Sequence, residues 1–214
     1  MATDKNPPNL VVFDHPLIAH KLSYIREAAT SHRPFRALLA QIAGLMVFEV
    51  TRSFVTVNLP IQTPMETTTG RRLAGKVTLV PILRSGLAMT EGILEVMPEA
   101  RVGHLGLARD EKTLKPIVYL NRLPNDLNAG PVVLVDPMLA TGGSASEALT
   151  ILRQHGAVDL RMICLVAAPE GVARLLHDHP DVMVYTAALD RELNDRGYIM
   201  PGLGDAGDRM YGTV

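Results

Sequence analysis

The sequence predicts an α/β fold in which a mostly parallel, twisted sheet is flanked by helices. From about residue 77 to residue 186, short apolar runs alternate with helical periodicity, which is typical of parallel strands joined by crossover helices. One run, VVLV at Val132–Val135, is apolar at every position, as expected of a strand covered on both faces. The chain has 214 residues, 47% of them hydrophobic, which is enough for one sizeable core. We therefore expect a single domain over residues 1–214.

The segment before the sheet is predicted to be helical and then to form a hairpin. Residues 17–29 and 34–53 have helical periodicity, and we expect these helices, over about 17–53, to pack on the sheet or on another subunit. A polar, threonine-rich segment follows. We expect it to form a β-hairpin extension between Thr56 and Leu73, with its turn at residues 67–70.

The remaining elements alternate until the last part of the chain. Strands are expected at residues 77–82, 101–107, 117–120, 132–135, 160–167 and 182–186, and helices at residues 87–97, 144–155 and 170–179. The segment 188–214 breaks this alternation because it contains Pro201 and five glycines, at positions 197, 202, 204, 207 and 212. We expect it to form a C-terminal cap built from loops.

Composition excludes several classes of protein. The formal net charge is -1 and the sequence pI is near 6.7, so no broad surface for nucleic acid or acidic membrane is indicated. The first residues lack the features of a signal peptide, and no apolar run is long enough for a membrane span. We expect a cytoplasmic protein. The single cysteine, Cys164, cannot form an internal disulfide and is expected to be buried in a strand.

The stretch VVLVDPMLATGGS, which ends at Ser144, indicates a phosphate site. Asp136 follows the strand at the edge where open α/β sheets place their ligands, and the glycine-bearing turn at residues 141–144 precedes a predicted helix. A Walker loop would need a lysine and a dinucleotide fingerprint would need GxGxxG, and the stretch contains neither. The pattern favours a monophosphate in the turn and sugar hydroxyls beside Asp136. An ordinary strand-to-helix turn with two glycines is the alternative.

Two further stretches carry charge next to predicted strands. Arg84, Ser85 and Gly86 follow the strand at 77–82, where a guanidinium could bind diphosphate oxygens; the alternative is a helix-capping serine beside a solvated arginine. Arg109 lies in the charged segment 108–116, which by composition alone reads as a solvated loop.

Closely spaced backbone groups in the cap could bind a pyrimidine. Gly204, Asp205 and Ala206 offer N–H groups, and Ile199 offers a carbonyl and an N–H. Two carbonyl acceptors and one N–H donor on a pyrimidine ring could be matched in this way, and a ring with another donor and acceptor pattern would leave buried groups unpaired. Asp208 and Arg209 are expected to pair and to hold the cap.

Three stretches together resemble one family. DPMLATGGS from Asp136, VPILRSGL from Val80 and GYIMPGLGDAGDRMYGT from Gly197 are similar to motifs of the type I phosphoribosyltransferases, in the form used by the uracil phosphoribosyltransferases. The resemblance extends from about Val11 to Thr213. It implies the type I phosphoribosyltransferase fold. The reaction it implies joins uracil to 5-phospho-α-D-ribose 1-diphosphate (PRPP), giving UMP and diphosphate in pyrimidine salvage.

The resemblance also implies which residues act. The catalytic residues it implies are Asp136, Arg84 and Arg109, the last from a loop that closes over the substrate. The implied PRPP contacts are Arg84, Arg109, Asp136, Pro137, Met138, Leu139, Ala140, Thr141, Gly142, Gly143, Ser144 and Asp205. The implied uracil contacts are Ile199, Gly204, Asp205 and Ala206. Many relatives have two adjacent acids at the strand end, whereas here Asp136 is followed by Pro137, so one carboxylate makes the sugar contact.

Cofactor and partners follow from the same resemblance. It implies Mg²⁺ bound mainly through PRPP and water, without a dedicated protein ligand. It also implies a homodimer or higher homo-oligomer and GTP as an activator. Two alternative functions stay open at this point: a regulator with this fold that binds nucleic acid, and a transferase for another nucleobase.

Overall fold

The computed structural model describes residues 6–109 and 116–213, and its strands and helices follow the expected α/β order. The strands are β1 (Leu10–Val12), β2 (Thr56–Gln62), β3 (Thr67–Leu73), β4 (Thr78–Leu83), β5 (Arg101–Val102), β6 (His104–Arg109), β7 (Pro116–Arg122), β8 (Val132–Val135), β9 (Met138–Leu139), β10 (Leu160–Ala167), β11 (Met183–Leu189), β12 (Glu192–Leu193) and β13 (Ile199–Met200). The helices are α1 (Pro16–Arg26), α2 (His32–Val50), α3 (Leu87–Val96), α4 (Gly143–Gln154), α5 (Pro169–Asp178) and α6 (Ala206–Tyr211).

The central sheet has the strand order β1-β11-β10-β8-β4-β6-β7, with β5 beside β4 and β9 beside β10. All pairings are parallel except that between β6 and β7, which is antiparallel. In the register of β4 against β8, Pro81 lies opposite Val135, and in that of β4 against β6, Leu83 lies opposite Gly106. The turns that follow β8 and β4 therefore meet at one edge of the sheet, next to the end of β6.

The sheet separates two apolar cores. Val133 and Val135 face the core that contains α1, α2, α3 and α6, whereas Val132 and Leu134 face the core that contains α4 and α5. All four side chains are fully buried, which explains why the sequence of β8 is apolar at every position instead of alternating. Cys164 in β10 is also fully buried, as predicted, and burial raises the pKa of its thiol to about 12.

The predicted β-hairpin is confirmed between Thr56 and Leu73, but the predicted turn at residues 67–70 is wrong. Residues 67–70 belong to β3, and the turn is formed by residues 63–66. The Thr63 hydroxyl oxygen accepts hydrogen bonds from the N–H groups of Met65 and Glu66, so a side chain stabilises the turn. Gly70 instead packs against the side chain of Ile61 on the opposite strand.

The structure adds features that the sequence does not predict. The short strand β1 pairs in parallel with β11 at the edge of the sheet, and the cap contains helix α6 as well as loops. Both elements are short, so hydrophobic periodicity does not reveal them. The strand predicted at 117–120 is confirmed, and it runs antiparallel to β6. The predicted helices over residues 17–53 are confirmed, and both pack on the sheet.

Within residues 6–109 and 116–213, none of the helices combines the length and apolar character that crossing a membrane requires.

Candidate active site

The turn between β8 and α4 has the geometry of an anion site. Gly142 adopts a left-handed conformation, with φ of 77°, and caps α4, which begins at Gly143. The N–H groups at the start of a helix lack intrahelical partners, and the helix dipole is positive there. Gly171 of α5 lies against this turn so closely that a Cβ atom there would lie 2.8 Å from the carbonyl oxygen of Leu139. Backbone-to-backbone packing therefore holds the turn.

Asp136 lies at the carboxyl end of β8, half-buried, and has an unusual acidity. Burial raises the pKa of its carboxyl to about 7, and the nearby charge of Asp205 acts in the same direction. Ser85 opposes the shift, because its hydroxyl donates a hydrogen bond of 3.0 Å to Asp136 Oδ1 and so lowers the pKa. The backbone N–H of Met138 has a similar but smaller effect. The carboxyl of Asp136 is thus expected to titrate near neutral pH.

The turn between β4 and α3 carries Arg84 on the exposed side of the sheet edge. The peptide bond between Leu83 and Arg84 is cis. Gly86 caps α3, and it approaches the carbonyl oxygen of Val135 too closely for any side chain. The Arg84 guanidinium lies over the ring of Tyr211, 5.4 Å from its centre. This stacking joins the turn to the last residue of α6.

Arg109 can be placed only by its backbone. It is the last residue of β6, three positions after Gly106, which lies opposite Leu83 in β4. Its main chain therefore ends at the same edge of the sheet as Arg84. Its side chain and residues 110–115 of the predicted closing loop lie outside the described residues.

A cavity of about 290 Å³ lies between the β8–α4 segment and the cap. Met138 and Ala140 line it on one side. The cap supplies the remaining lining residues, which are Gly197, Tyr198, Ile199, Met200, Pro201, Leu203 and Gly204. A Cβ atom on Gly197 would also lie 3.6 Å from Thr141 Cγ2, so the cap reaches the anion-site turn. The structure thus brings Ile199 and Gly204 into one cavity with Met138 and Ala140, which precede the turn.

Asp205 and Ala206 directly follow Gly204, a lining residue of this cavity, at the start of α6. Asp205 is the N-cap residue, and its Oδ1 accepts a hydrogen bond of 3.0 Å from the N–H of Asp208. The N–H groups of Asp205 and Ala206 precede the first turn of hydrogen bonds in α6, which leaves them without intrahelical partners. The charge of Asp205 also raises the pKa of Asp136, so the two carboxyl groups are close enough to interact.

The cap is held by two arginines, and the predicted pairing of Asp208 with Arg209 is wrong. Arg209 donates hydrogen bonds to the carbonyl oxygens of Ile25, Leu203 and Glu27 at 2.6–2.8 Å, and its guanidinium stacks on Phe35. Asp208 instead accepts a hydrogen bond from the hydroxyl of Thr213. Backbone carbonyl oxygens thus stabilise the charge of Arg209 without a carboxylate partner.

The second arginine, Arg26, donates a bidentate pair of hydrogen bonds to the carboxylate of Asp190, at 2.6 and 2.9 Å. It also donates to the carbonyl oxygen of Gly202, whose N–H donates to Asp190 at 2.9 Å. This closed set of bonds fixes the start of the cap and its Gly202 turn on α1.

Carboxylates available to a metal are few in this part of the chain. The described residues contain no group of three or more His, Cys, Asp or Glu side chains that could hold a metal ion. Asp136 and Asp205 are two oxygen donors of the kind Mg²⁺ prefers, and they are close enough for the charge of Asp205 to raise the pKa of Asp136. The site therefore fits a Mg²⁺ ion that takes most of its ligands from a bound phosphate compound and water.

The sequence does not indicate the side-chain contacts of two residues at the site. It predicts a backbone or capping role for Ser85 and no contact for Tyr211, although both lie in the stretches that resemble family motifs. Side-chain contacts across two turns have no periodicity, so only their position in the motifs could have indicated them.

Comparisons with known proteins agree with this geometry. The family model "Uracil phosphoribosyltransferase" matches residues 11–213. A uracil phosphoribosyltransferase from Macrococcus caseolyticus is 56% identical over 203 residues, covering 94% of this chain and 97% of the relative.

Among solved structures, the AQ2163 protein from Aquifex aeolicus superimposes with a TM-score of 0.90 at 38% identity, covering 94% of this chain and 97% of that one. A hypoxanthine-guanine phosphoribosyltransferase from Bacillus anthracis shares the fold, with a TM-score of 0.52 at 11% identity over 74% of this chain and 80% of that one. The mostly parallel sheet with flanking helices is therefore the type I phosphoribosyltransferase fold, and the chain belongs to the uracil phosphoribosyltransferase family.

Proposed function

We propose that this member of the family transfers the 5-phosphoribosyl group of PRPP to N1 of uracil, releasing diphosphate and forming UMP. The observation that carries the proposal is the cavity of about 290 Å³ in which the β8–α4 segment and the glycine-rich cap meet. A site for a sugar phosphate and a site for a small planar base adjoin each other there, as bond formation between the two requires.

The proposed roles follow the positions of the groups. The turn at Thr141–Ser144 binds the 5-phosphate through N–H groups and hydroxyls, and Asp136 as carboxylate accepts hydrogen bonds from the ribose hydroxyls. Pro137, Met138, Leu139 and Ala140 supply the connecting wall. Arg84 and Arg109 bind the diphosphate and stabilise the negative charge that it gains as it leaves.

Base recognition is proposed to depend on the backbone of the cap. Ile199, Gly204, Asp205 and Ala206 offer N–H and carbonyl groups to the two oxygens and the N3–H of uracil. Backbone groups fixed by Arg26 and Arg209 cannot rearrange easily, so a base with a different donor pattern would leave buried groups unpaired.

Mg²⁺ is the proposed cofactor. It would be bound mainly through PRPP oxygens and water, with Asp136 and Asp205 as the carboxylates near it. When bound, the ion would neutralise negative charge on the diphosphate.

The direct test is an assay of the purified chain with Mg²⁺, PRPP and each nucleobase in turn. We expect UMP from uracil and no comparable product from cytosine, hypoxanthine, guanine or adenine. Failure to form UMP, or a faster reaction with another base, would contradict the proposal.

We also propose that the chain forms a homodimer or higher homo-oligomer. Two apolar side chains, Phe48 and Val96, are exposed, Phe48 to 72%. Both line a groove of about 550 Å³ next to the hairpin. Exposed apolar side chains that share a groove favour a protein contact. Light scattering would give the mass, and Phe48→Glu is expected to lower it to that of one chain.

Two further proposals rest on the family resemblance. GTP is proposed as an activator, and the uracil assay with and without GTP tests it. The cytoplasm is the proposed location, because a triply phosphorylated sugar does not cross a bilayer unaided and must be used where it is made. Fractionation of cells with an antibody against the chain would check this.

A further inference from the structure

Arg174 of α5 lies beside the turn that precedes α4. A Cβ atom added to Gly143 would lie 3.2 Å from Arg174 Nη1 and 3.6 Å from its Cζ. A Cβ atom added to Gly142 would lie 3.3 Å from Arg174 Cβ. The arginine side chain therefore runs along these two glycines, and its guanidinium rests against the first residue of α4.

The charge of this guanidinium is only weakly neutralised by its nearest carboxylate. Arg174 Nε lies 3.9 Å from Asp178 Oδ2, and both side chains are more than one-third exposed. The same Asp178 oxygen accepts a hydrogen bond of 2.6 Å from the hydroxyl of Ser146. A long, exposed ion pair contributes little, so the positive field of Arg174 acts on the neighbouring turn.

We propose that Arg174 is an auxiliary cation for the 5-phosphate group that PRPP and UMP share. The proposal rests on the proposed function, in which the turn at Thr141–Ser144 binds that phosphate. The helix dipole by itself supplies only a modest attraction for a dianion, and arginine is well suited to phosphate oxygens. The absence of side chains at Gly142 and Gly143 is what allows the guanidinium to lie so near the turn.

This role predicts a selective effect on ligands. Arg174→Met keeps the length of the side chain and removes its charge. We expect it to raise the KM for PRPP and the Kd for UMP by about three- to tenfold at low salt. The Kd for magnesium diphosphate and the KM for uracil are expected to change by less than about twofold, because neither ligand carries the 5-phosphate. The difference from wild type should shrink as the salt concentration rises.

Two variants serve as controls. Arg174→Lys retains the charge and is expected to recover most of the affinity for UMP. Arg153→Met changes the net charge by the same amount, but Arg153 lies in the last turn of α4 and pairs with Asp181, far from the turn. We expect Arg153→Met to bind UMP like wild type. Circular dichroism and thermal unfolding of each variant show whether the fold is retained; Arg174 is 54% exposed, so its replacement should leave the core intact.

The proposal is overturned if Arg174→Met binds PRPP and UMP with wild-type affinity. It is also overturned if the variant loses as much affinity for magnesium diphosphate as for UMP. Thr141→Val, measured in parallel, separates this result from a failure of the turn assignment. If Thr141→Val lowers the affinity for PRPP and UMP while Arg174→Met lowers neither, the turn binds the phosphate and Arg174 does not. If the wild-type chain forms no UMP from uracil, the proposed function itself is wrong.

Discussion

The Ser85 hydroxyl donates a hydrogen bond of 3.0 Å to Oδ1 of Asp136, and this bond links the two turns that flank the candidate active site. One turn carries the arginine proposed for diphosphate, and the other carries the acid proposed for ribose. The bond also lowers the pKa of Asp136 against the effect of burial, which raises it to about 7. Ser85 therefore controls how much of Asp136 is ionised at neutral pH.

Ser85→Ala is expected to move the acid side of the pH profile to higher pH. The carboxylate form of Asp136 is the acceptor of hydrogen bonds from ribose, so kcat/KM for PRPP falls as the pH drops through the pKa. Loss of the hydroxyl removes a contact that lowers this pKa, so the midpoint rises. Measurement of kcat/KM from pH 5.5 to 9 checks the shift, with Ser85→Thr as the variant that keeps a hydroxyl. An unchanged midpoint in Ser85→Ala would disprove the coupling.

Asp136→Asn is expected to be less active and more stable at alkaline pH. Because the pKa in the folded chain is about 7, against an ordinary 3.8, the unfolded chain ionises first, and the wild type loses stability as the pH rises from about 4 to about 7. Asparagine carries no such charge. At pH 8 we expect its Tm to exceed that of wild type by at least roughly 2 °C, with kcat/KM at least about tenfold lower.

The stability difference should disappear below about pH 4, where both the folded and unfolded wild-type chains are protonated. Thermal unfolding at pH 4, 6 and 8 gives the comparison. A Tm for Asp136→Asn that is lower than wild type at pH 8 would show that the carboxylate stabilises the fold instead.

The stacking of Arg84 on Tyr211 is expected to affect diphosphate binding. Arg84→Ala should lower kcat/KM for PRPP at least about tenfold, because a contact to the leaving group is lost. Tyr211→Leu should raise the Kd for magnesium diphosphate about two- to fivefold, since the guanidinium loses the ring that orients it. Tyr211→Phe retains the ring and is the matched control. Equal Kd values in the leucine and phenylalanine variants would rule out this role of the ring.

Arg209→Met is expected to loosen the cap. The substitution leaves the part-buried carbonyl groups of Ile25 and Leu203 without this donor, and unpaired buried groups cost about 1–3 kcal/mol each. The carbonyl group of Glu27 is exposed and can bind water instead. We expect a Tm lower by several degrees and a KM for uracil raised more than the KM for PRPP. Steady-state kinetics and thermal unfolding check this, and Arg209→Lys should be intermediate. A KM for uracil equal to that of wild type would show that the contacts of Arg209 do not affect base binding.

The parallel sheet could be predicted from the sequence because its strands are buried on both faces. Val132–Val135 shows the reason: each residue faces one of two cores, so the run is continuously apolar and easy to recognise. The hairpin turn was misplaced because threonine and glycine at residues 67–70 resemble turn residues, whereas the turn depends on the single side chain of Thr63.

The residues proposed for the site were found through motifs, not through patterns of hydrophobicity. Asp136, Arg84 and the glycine turn lie next to strand ends and could be placed from that alone. The contacts of Ser85, Tyr211 and Arg174 could not, because each crosses between elements that are distant in sequence. The partners of Arg209 were also hidden, since backbone carbonyls have no signature in the sequence.

The anchor of the cap constrains the backbone near α1 more than its side chains. Arg209 binds main-chain oxygens around α1, and every amino acid supplies such an oxygen. Mutations that change the side chains at Ile25 or Glu27 but preserve the backbone path leave the anchor of the cap in place. The side chains at this junction can therefore vary during evolution, while selection acts on Arg209 and on the backbone conformation at the end of α1.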